Sequence, residues 1–147
     1  MLTEREIMRK LIEAATPKTG NNEGNDKPTK VEKDGNVFWY LNGKLHREDG
    51  PAVEYRDRGY YRYEWFQNGE LHRLDGPALE TSEGTKKWYQ NGKLHREDGP
   101  AIIFPDRSEE WYKHEKRHRL DGPAVIRPNG EECWYMNGYL HRENGPT

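Results

Sequence analysis

Trp39-Tyr40-Leu41-Asn42-Gly43-Lys44-Leu45-His46-Arg47-Glu48-Asp49-Gly50-Pro51-Ala52 is the stretch whose reading decides the fold. Its frame returns at Trp65, Trp88, Trp111 and Trp134, at spacings of 26, 23, 23 and 23 residues. A fixed period of this length marks a repeat architecture, in which one unit cannot bury its own face and stacks on its neighbours. Asn42-Gly43, Asn68-Gly69, Asn91-Gly92 and Asn137-Gly138 are a strong hairpin signal, because both residue types tolerate the positive φ of a type I′ turn. A second turn falls between units, at Ser82-Glu83-Gly84, Pro105-Asp106-Arg107 and Pro128-Asn129-Gly130. The residue after each Ala is aliphatic (Val53, Leu79, Ile102, Val125), which predicts a buried row with one member per unit. The expected fold is therefore all-β: an elongated antiparallel sheet of five repeated β-hairpin units over residues 36–147. Side chains alternate along a strand, so a Trp ladder is expected on one face. Tyr40, Phe66, Tyr89, Tyr112 and Tyr135 should form a second ladder on the other.

Upstream, residues 1–16 read as a short amphipathic α-helix. Thr3 and Glu6 form a capping-box pattern. Ile7, Met8, Leu11, Ile12 and Ala15 make one apolar stripe, and Thr16-Pro17 ends it. A helix this short is marginal alone in water, so it should dock on the array or on a partner. Residues 17–35 carry a single aliphatic side chain, Val31, and read as a flexible linker.

Composition narrows the function classes. With 31% hydrophobic and 34% charged residues and a mean hydropathy of -1.31, the chain approaches the disordered regime. Five Trp, nine Tyr and three Phe, almost all within the repeats, offset that by burying large areas each. A net charge of -2 with interspersed signs gives no electrostatic footprint for nucleic acid. Cys133, the single cysteine, excludes an intrachain disulfide and fits a reducing compartment. The first residues lack the apolar core of a signal peptide, and no run approaches membrane-spanning length. A cytoplasmic location is expected (the host cytoplasm for a viral or phage product), with a membrane surface not favoured.

The pattern resembles the MORN repeat, a hairpin unit of similar period built on aromatic residues, Gly and an Asn-Gly turn. The likeness lies in the period, in Trp134-Tyr135-Met136-Asn137-Gly138 and in the following Gly145, and covers residues 36–147. The departure is Asp-Gly-Pro-Ala, preceded by His-Arg, where the usual unit has Gly-x-Gly. That variant is similar to repeats of large DNA viruses, tailed phages and some bacteria. The resemblance implies a scaffold for protein binding, in some members associated with membrane lipid, and in a bacterial relative an antitoxin. It brings no catalytic motif and no cofactor.

Residues present in five equivalent copies are expected to build the unit. His46-Arg47, His72-Arg73, His95-Arg96, His118-Arg119 and His141-Arg142 each precede Asp49, Asp75, Asp98, Asp121 or Asn144. Arg can hold a carboxylate through two parallel hydrogen bonds, and Asp before Gly-Pro is turn chemistry. The alternative is a row that binds a phosphate-bearing, nucleotide, lipid or glycan ligand beside aromatic rings. His114, His118 and Cys133 are a weak metal candidate on a hairpin, and no nucleophile motif points to an enzyme.

Departures from the repeat are the better functional clues. Three extra residues extend the first unit through Tyr55, Arg58, Tyr60 and Tyr61, residue types enriched in binding hot spots. The fourth unit replaces Asn-Gly by His114-Glu115 and Leu by Arg117, beside Lys116, so its turn should lose the usual hairpin chemistry. With Ile7 and Leu11 of the helix, these are the candidate partner contacts. The expected function is a non-enzymatic protein-interaction module, a phage or viral accessory protein binding a host or virion protein. The sequence reaches Gly145-Pro146-Thr147 where a further strand would begin, so a homodimer through the terminal sheet edge is a second expectation.

Overall fold

A computed structural model describes residues 1–16 and 27–144. Most of the segment read as linker, and Gly145-Pro146-Thr147, lie outside the described residues.

Among the described residues a twelve-stranded antiparallel sheet runs through the molecule without a crossover. It begins with Thr29–Lys33 paired to Asn36–Leu41, continues through Val53–Asp57 and Tyr60–Glu64, and then takes two short strands from each following unit. It closes on Glu132–Met136 and Tyr139–Asn144. The expected buried row is present. Ala52, Ala78, Ala101 and Ala124 are wholly buried, and Val53, Leu79, Ile102 and Val125 are no more than 6% exposed. Successive side chains point to opposite faces, so the sheet is covered on both faces at this row.

Beyond the row the strands do not run straight. Trp65, Trp88 and Trp111 stand outside the strands, and the residues after each form separate two-stranded ladders: Phe66–Gln67 with Glu70–Leu71, Tyr89–Gln90 with Lys93–Leu94, and Tyr112–Lys113 with Lys116–Arg117. Hydrogen bonds explain the corner. Each of these Trp residues donates its N–H to the Ala carbonyl of the next main-sheet strand and accepts from the His that ends its own hairpin, as in Trp65→Ala78 (2.7 Å) and His72→Trp65 (2.9 Å). The backbone changes partner at Trp, its N–H bonding to one strand and its carbonyl to another.

Neighbouring hairpins are joined by one recurring set of bonds. The second turn residue donates to the preceding unit's carbonyl (Gly69→Leu45, Gly92→Leu71, Glu115→Leu94, Gly138→Arg117) at 2.8–2.9 Å. Each Arg backbone N–H donates forward to the next unit's aromatic carbonyl, as in Arg47→Phe66 and Arg119→Tyr135. The fourth-unit turn keeps the common geometry despite its sequence. His114 and Glu115 adopt φ of 47° and 64°, beside 49° and 74° for Asn91 and Gly92. Two residues with side chains are thus held in the left-handed region, which costs them roughly 1–2 kcal/mol each.

The helix, Glu4–Ala15 (α1), has the expected capping box: Glu6 N–H donates to Thr3 Oγ1 and Thr3 N–H donates to the Glu6 carboxylate. It docks on the array. Met8 and Ala15 are buried with Phe38, Tyr40, Leu45, Ala52 and Val53, and Tyr40 Oη donates to the Ile12 carbonyl at 3.0 Å. Strand Thr29–Lys33 falls inside the segment read as linker. Its five residues pair in register with Asn36–Tyr40 although only Val31 is apolar. Backbone pairing needs no apolar side chain on the exposed face of an edge strand. No helix of the described residues is long and apolar enough to cross a membrane.

Candidate functional site

The repeated His-Arg residues hold a fixed place in each unit. Arg47, Arg73, Arg96 and Arg119 donate from Nε to the Asp two residues on (2.8–3.1 Å) and from Nη1 to the Pro carbonyl four residues on (3.1 Å). The flat guanidinium lies over the Trp of its own unit, 4.0–4.5 Å from the ring centre. On its other side is the backbone of Gly50, Gly76, Gly99 or Gly122, where a Cβ would come within 2.8–2.9 Å of Arg Cζ. These glycines are required by close approach, since none has positive φ. The hydrogen bonds from Arg47 and Arg73 hold the Asp49 and Asp75 carboxyls below their ordinary value, and Coulomb attraction adds to the effect. In the last unit Arg142 also lies over its Trp, at 4.4 Å from Trp134, while His141 is exposed.

The histidines serve the next unit. Nδ1 of His46, His72, His95 and His118 accepts the N–H of Asn68, Asn91, His114 and Asn137 at 3.0–3.2 Å. With Nδ1 an acceptor, the neutral ring must carry its proton on Nε2. That proton faces Glu97 at 2.9 Å from His95, and Glu48 stands 3.6 Å from His46. His72 and His118 are followed by Leu74 and Leu120 at the matching position, 76% and 78% exposed.

Between successive Arg-x-Asp-Gly-Pro loops lie three interior clefts of about 560, 520 and 630 Å³. Each has a Trp (Trp65, Trp88 or Trp111), the preceding unit's Gly-Pro, and the next His-Arg in its walls. At the head of the array a related cleft of about 440 Å³ is formed around Trp39, with Lys27 and Pro28 in its wall. The Trp39 indole N–H is buried there without a partner.

The candidates picked from repeat departures are scattered. In the first unit the inserted residues lengthen the hairpin: Val53–Asp57 pairs with Tyr60–Glu64 around a two-residue turn, Arg58-Gly59, where other units use shorter strands. Tyr61 and Tyr63 stack at 4.8 Å, Arg56 Nη2 donates to Tyr63 Oη at 2.6 Å, and Tyr55 and Tyr60 meet edge-on at 6.1 Å. Tyr61 is 37% exposed, and Arg58 projects into solvent at the tip. In the fourth unit the His114 ring lies 4.6 Å from that of His95, and Lys116 is exposed. Arg117 is ion-paired to Glu110 (3.2 Å), which is 8% exposed and also accepts from Tyr112 Oη at 2.9 Å. The sequence reading missed Glu110. Its one signal was Arg117 in place of Leu, since a charged residue before Trp also stands in the second and third units, at Glu64 and Lys87. On α1, Leu11 packs on the array and Ile7 is 40% exposed.

Among the described residues no group of three His, Cys, Asp or Glu is placed to hold a metal. Cys133 is buried, and desolvation raises its thiol pKa above the ordinary value. The fold defines the class as an all-β hairpin-repeat protein. No family model matches the chain, and a search of curated proteins finds no match.

Proposed function

We propose that the protein is a non-enzymatic protein-interaction module, an accessory protein of a phage or virus that engages a host or virion protein from the cytoplasm. The observation that carries this reading is the first-unit hairpin. It is the one inter-unit hairpin lengthened by the three-residue insertion, and it sets the stacked Tyr61–Tyr63 pair beside Arg56 and Arg58 on the surface. Tyr and Arg are the residue types that anchor protein interfaces. The MORN-like sequence pattern supports the same reading, as do the regular backbone bonds between units, which make the array a stiff support. The repeated guanidiniums are bound to Asp, to Pro carbonyls and to Trp, so the phosphate-reading alternative would have to break internal contacts.

Affinity capture from host lysate with the whole chain and with Arg58→Ala/Tyr61→Ala tests the proposal. A stoichiometric protein should be lost from the variant while it stays folded, with a loss of stability no larger than the ~0.5–1.5 kcal/mol of the Tyr61–Tyr63 stack. Capture that survives both substitutions removes the hairpin from the reading.

A further inference from the structure

The three interior clefts form a row along the axis of the array. One cleft follows the next after two main-sheet strands, so with strands ~4.7–4.9 Å apart the clefts repeat every ~9.4–9.8 Å. A polyproline II helix advances ~3.1 Å per residue with three residues per turn, or ~9.3 Å per turn. A chain in that conformation would present the same side of every third residue to each cleft in turn.

The chemistry of the walls agrees. Each cleft has in its walls an indole, which carries its own unit's Arg over the ring, and the preceding unit's Pro, and aromatic-lined grooves receive proline. A polyproline II backbone makes no internal hydrogen bonds, so its carbonyls need donors. Gln67 and the His72 Nε2 proton are available in the first interior cleft, and Gln90 in the second. The exposed rims of the first two interior clefts are acidic, while in the third Lys113 pairs with Glu97 at 3.7 Å. Asp49, Asp75, Asp98 and Asp121 have side chains 86–87% exposed. Each spends one oxygen on Arg Nε, and Glu48 and Glu97 add to them. The head cleft supplies an independent observation: there a Lys-Pro dipeptide of the chain itself, Lys27-Pro28, shares the walls of one cleft with Trp39, Glu48 and Asp49.

We propose that the cleft row binds an extended, proline-rich basic peptide segment in the polyproline II conformation, three residues to a cleft. The inference rests on the protein-interaction reading and names the chemistry of one partner segment.

The test uses the whole protein and synthetic peptides of one to four Pro-Pro-Lys triplets, followed by Trp emission and calorimetry. Binding should be saturable and tighten about threefold or more with each triplet through the third, as linked sites do. Leu74→Ser/Glu97→Gln, which changes exposed rim residues, should weaken it about tenfold with the fold intact, as anchor loss does. Gly-Gly-Lys peptides of equal charge should bind far more weakly. Equal binding of the two series would show a charge effect only and overturn the inference, as would affinity independent of length or no binding. Saturable binding of a neutral glucan oligomer at the same clefts, with none of the peptide, would also overturn it. Should the peptides fail while capture still depends on Tyr61, the inference falls and the interaction reading stands. Should capture fail while the peptides bind, the hairpin reading falls and the row remains.

Discussion

Replacing Gly99 by Ala puts a single methyl group where the structure has no room for it. The Cβ would lie 2.8 Å from Arg96 Cζ and 3.0 Å from its Nη1. A free arginine could swing aside at little cost, but Arg96 is held by three contacts: Asp98 at 3.1 Å, the Pro100 carbonyl at 3.1 Å and the Trp88 ring at 4.0 Å. Moving it loses a partly exposed cation–π contact worth ~0.5–1 kcal/mol and two hydrogen bonds of ~0.5–1.5 kcal/mol each. Against this, Ala restricts the unfolded chain and returns ~0.4–1 kcal/mol, since φ at Gly99 is not positive. The net expectation is a destabilisation of about 0.5–3.5 kcal/mol in urea unfolding with unchanged m. The decisive comparison is Gly99→Ala in an Arg96→Ala background. With the guanidinium gone, the methyl meets no clash, and the substitution should become neutral or stabilising. An equal loss in both backgrounds would refute the reasoning and place the need for glycine in its backbone.

Glu115→Gly relieves a left-handed residue and should raise stability by ~0.5–1 kcal/mol, read as a higher urea midpoint; a lower midpoint would count against strain at this turn. Arg117→Leu restores the repeat's own residue yet should cost ~1–3 kcal/mol, because it leaves the buried Glu110 without its cation. Adding Glu110→Cys, which gives this unit the residues found at the equivalent positions 133 and 140 of the last one, should recover most of the loss. Tyr40→Phe removes the donor to the Ile12 carbonyl and should speed hydrogen exchange across α1, leaving the middle units unchanged. The Asp49 and Asp75 carboxyls are held below their ordinary value of 3.8, so their contribution is present above it and is lost as pH falls through the lower folded value. Unfolding midpoints should accordingly fall on acidification below about 3.8, with the smallest change in Arg47→Ala/Arg73→Ala.

The hairpins were legible because Asn-Gly and a constant period constrain the backbone locally, and the row after Ala because burial there selects aliphatic residues. The helix start was legible for a similar reason, since a capping box is local chemistry. Strand Thr29–Lys33 was not, because Thr-Lys-Val-Glu-Lys has the composition of a solvated tether and owes its conformation to pairing with Asn36–Tyr40. The corner at Trp was missed because alternation assumes one partner strand, whereas the Trp N–H and carbonyl bond to different ones. Asp-Gly-Pro read correctly as a turn, but the reason for its glycine lies in a guanidinium three residues earlier. The clefts depend on adjacency between units and have no signature in any one of them.

The identical bonds that join successive hairpins also fix how the molecule answers a mechanical load. Its strands lie across the long axis, so tension between the chain ends opens their hydrogen bonds one after another, as a zipper, instead of shearing many at once. Each released unit after the 26-residue first one would free 23 residues, which extend by up to ~76–83 Å at ~3.3–3.6 Å per residue. Under force the array would lengthen in even, low-resistance steps, yielding as a graded tether while the remaining units stay folded.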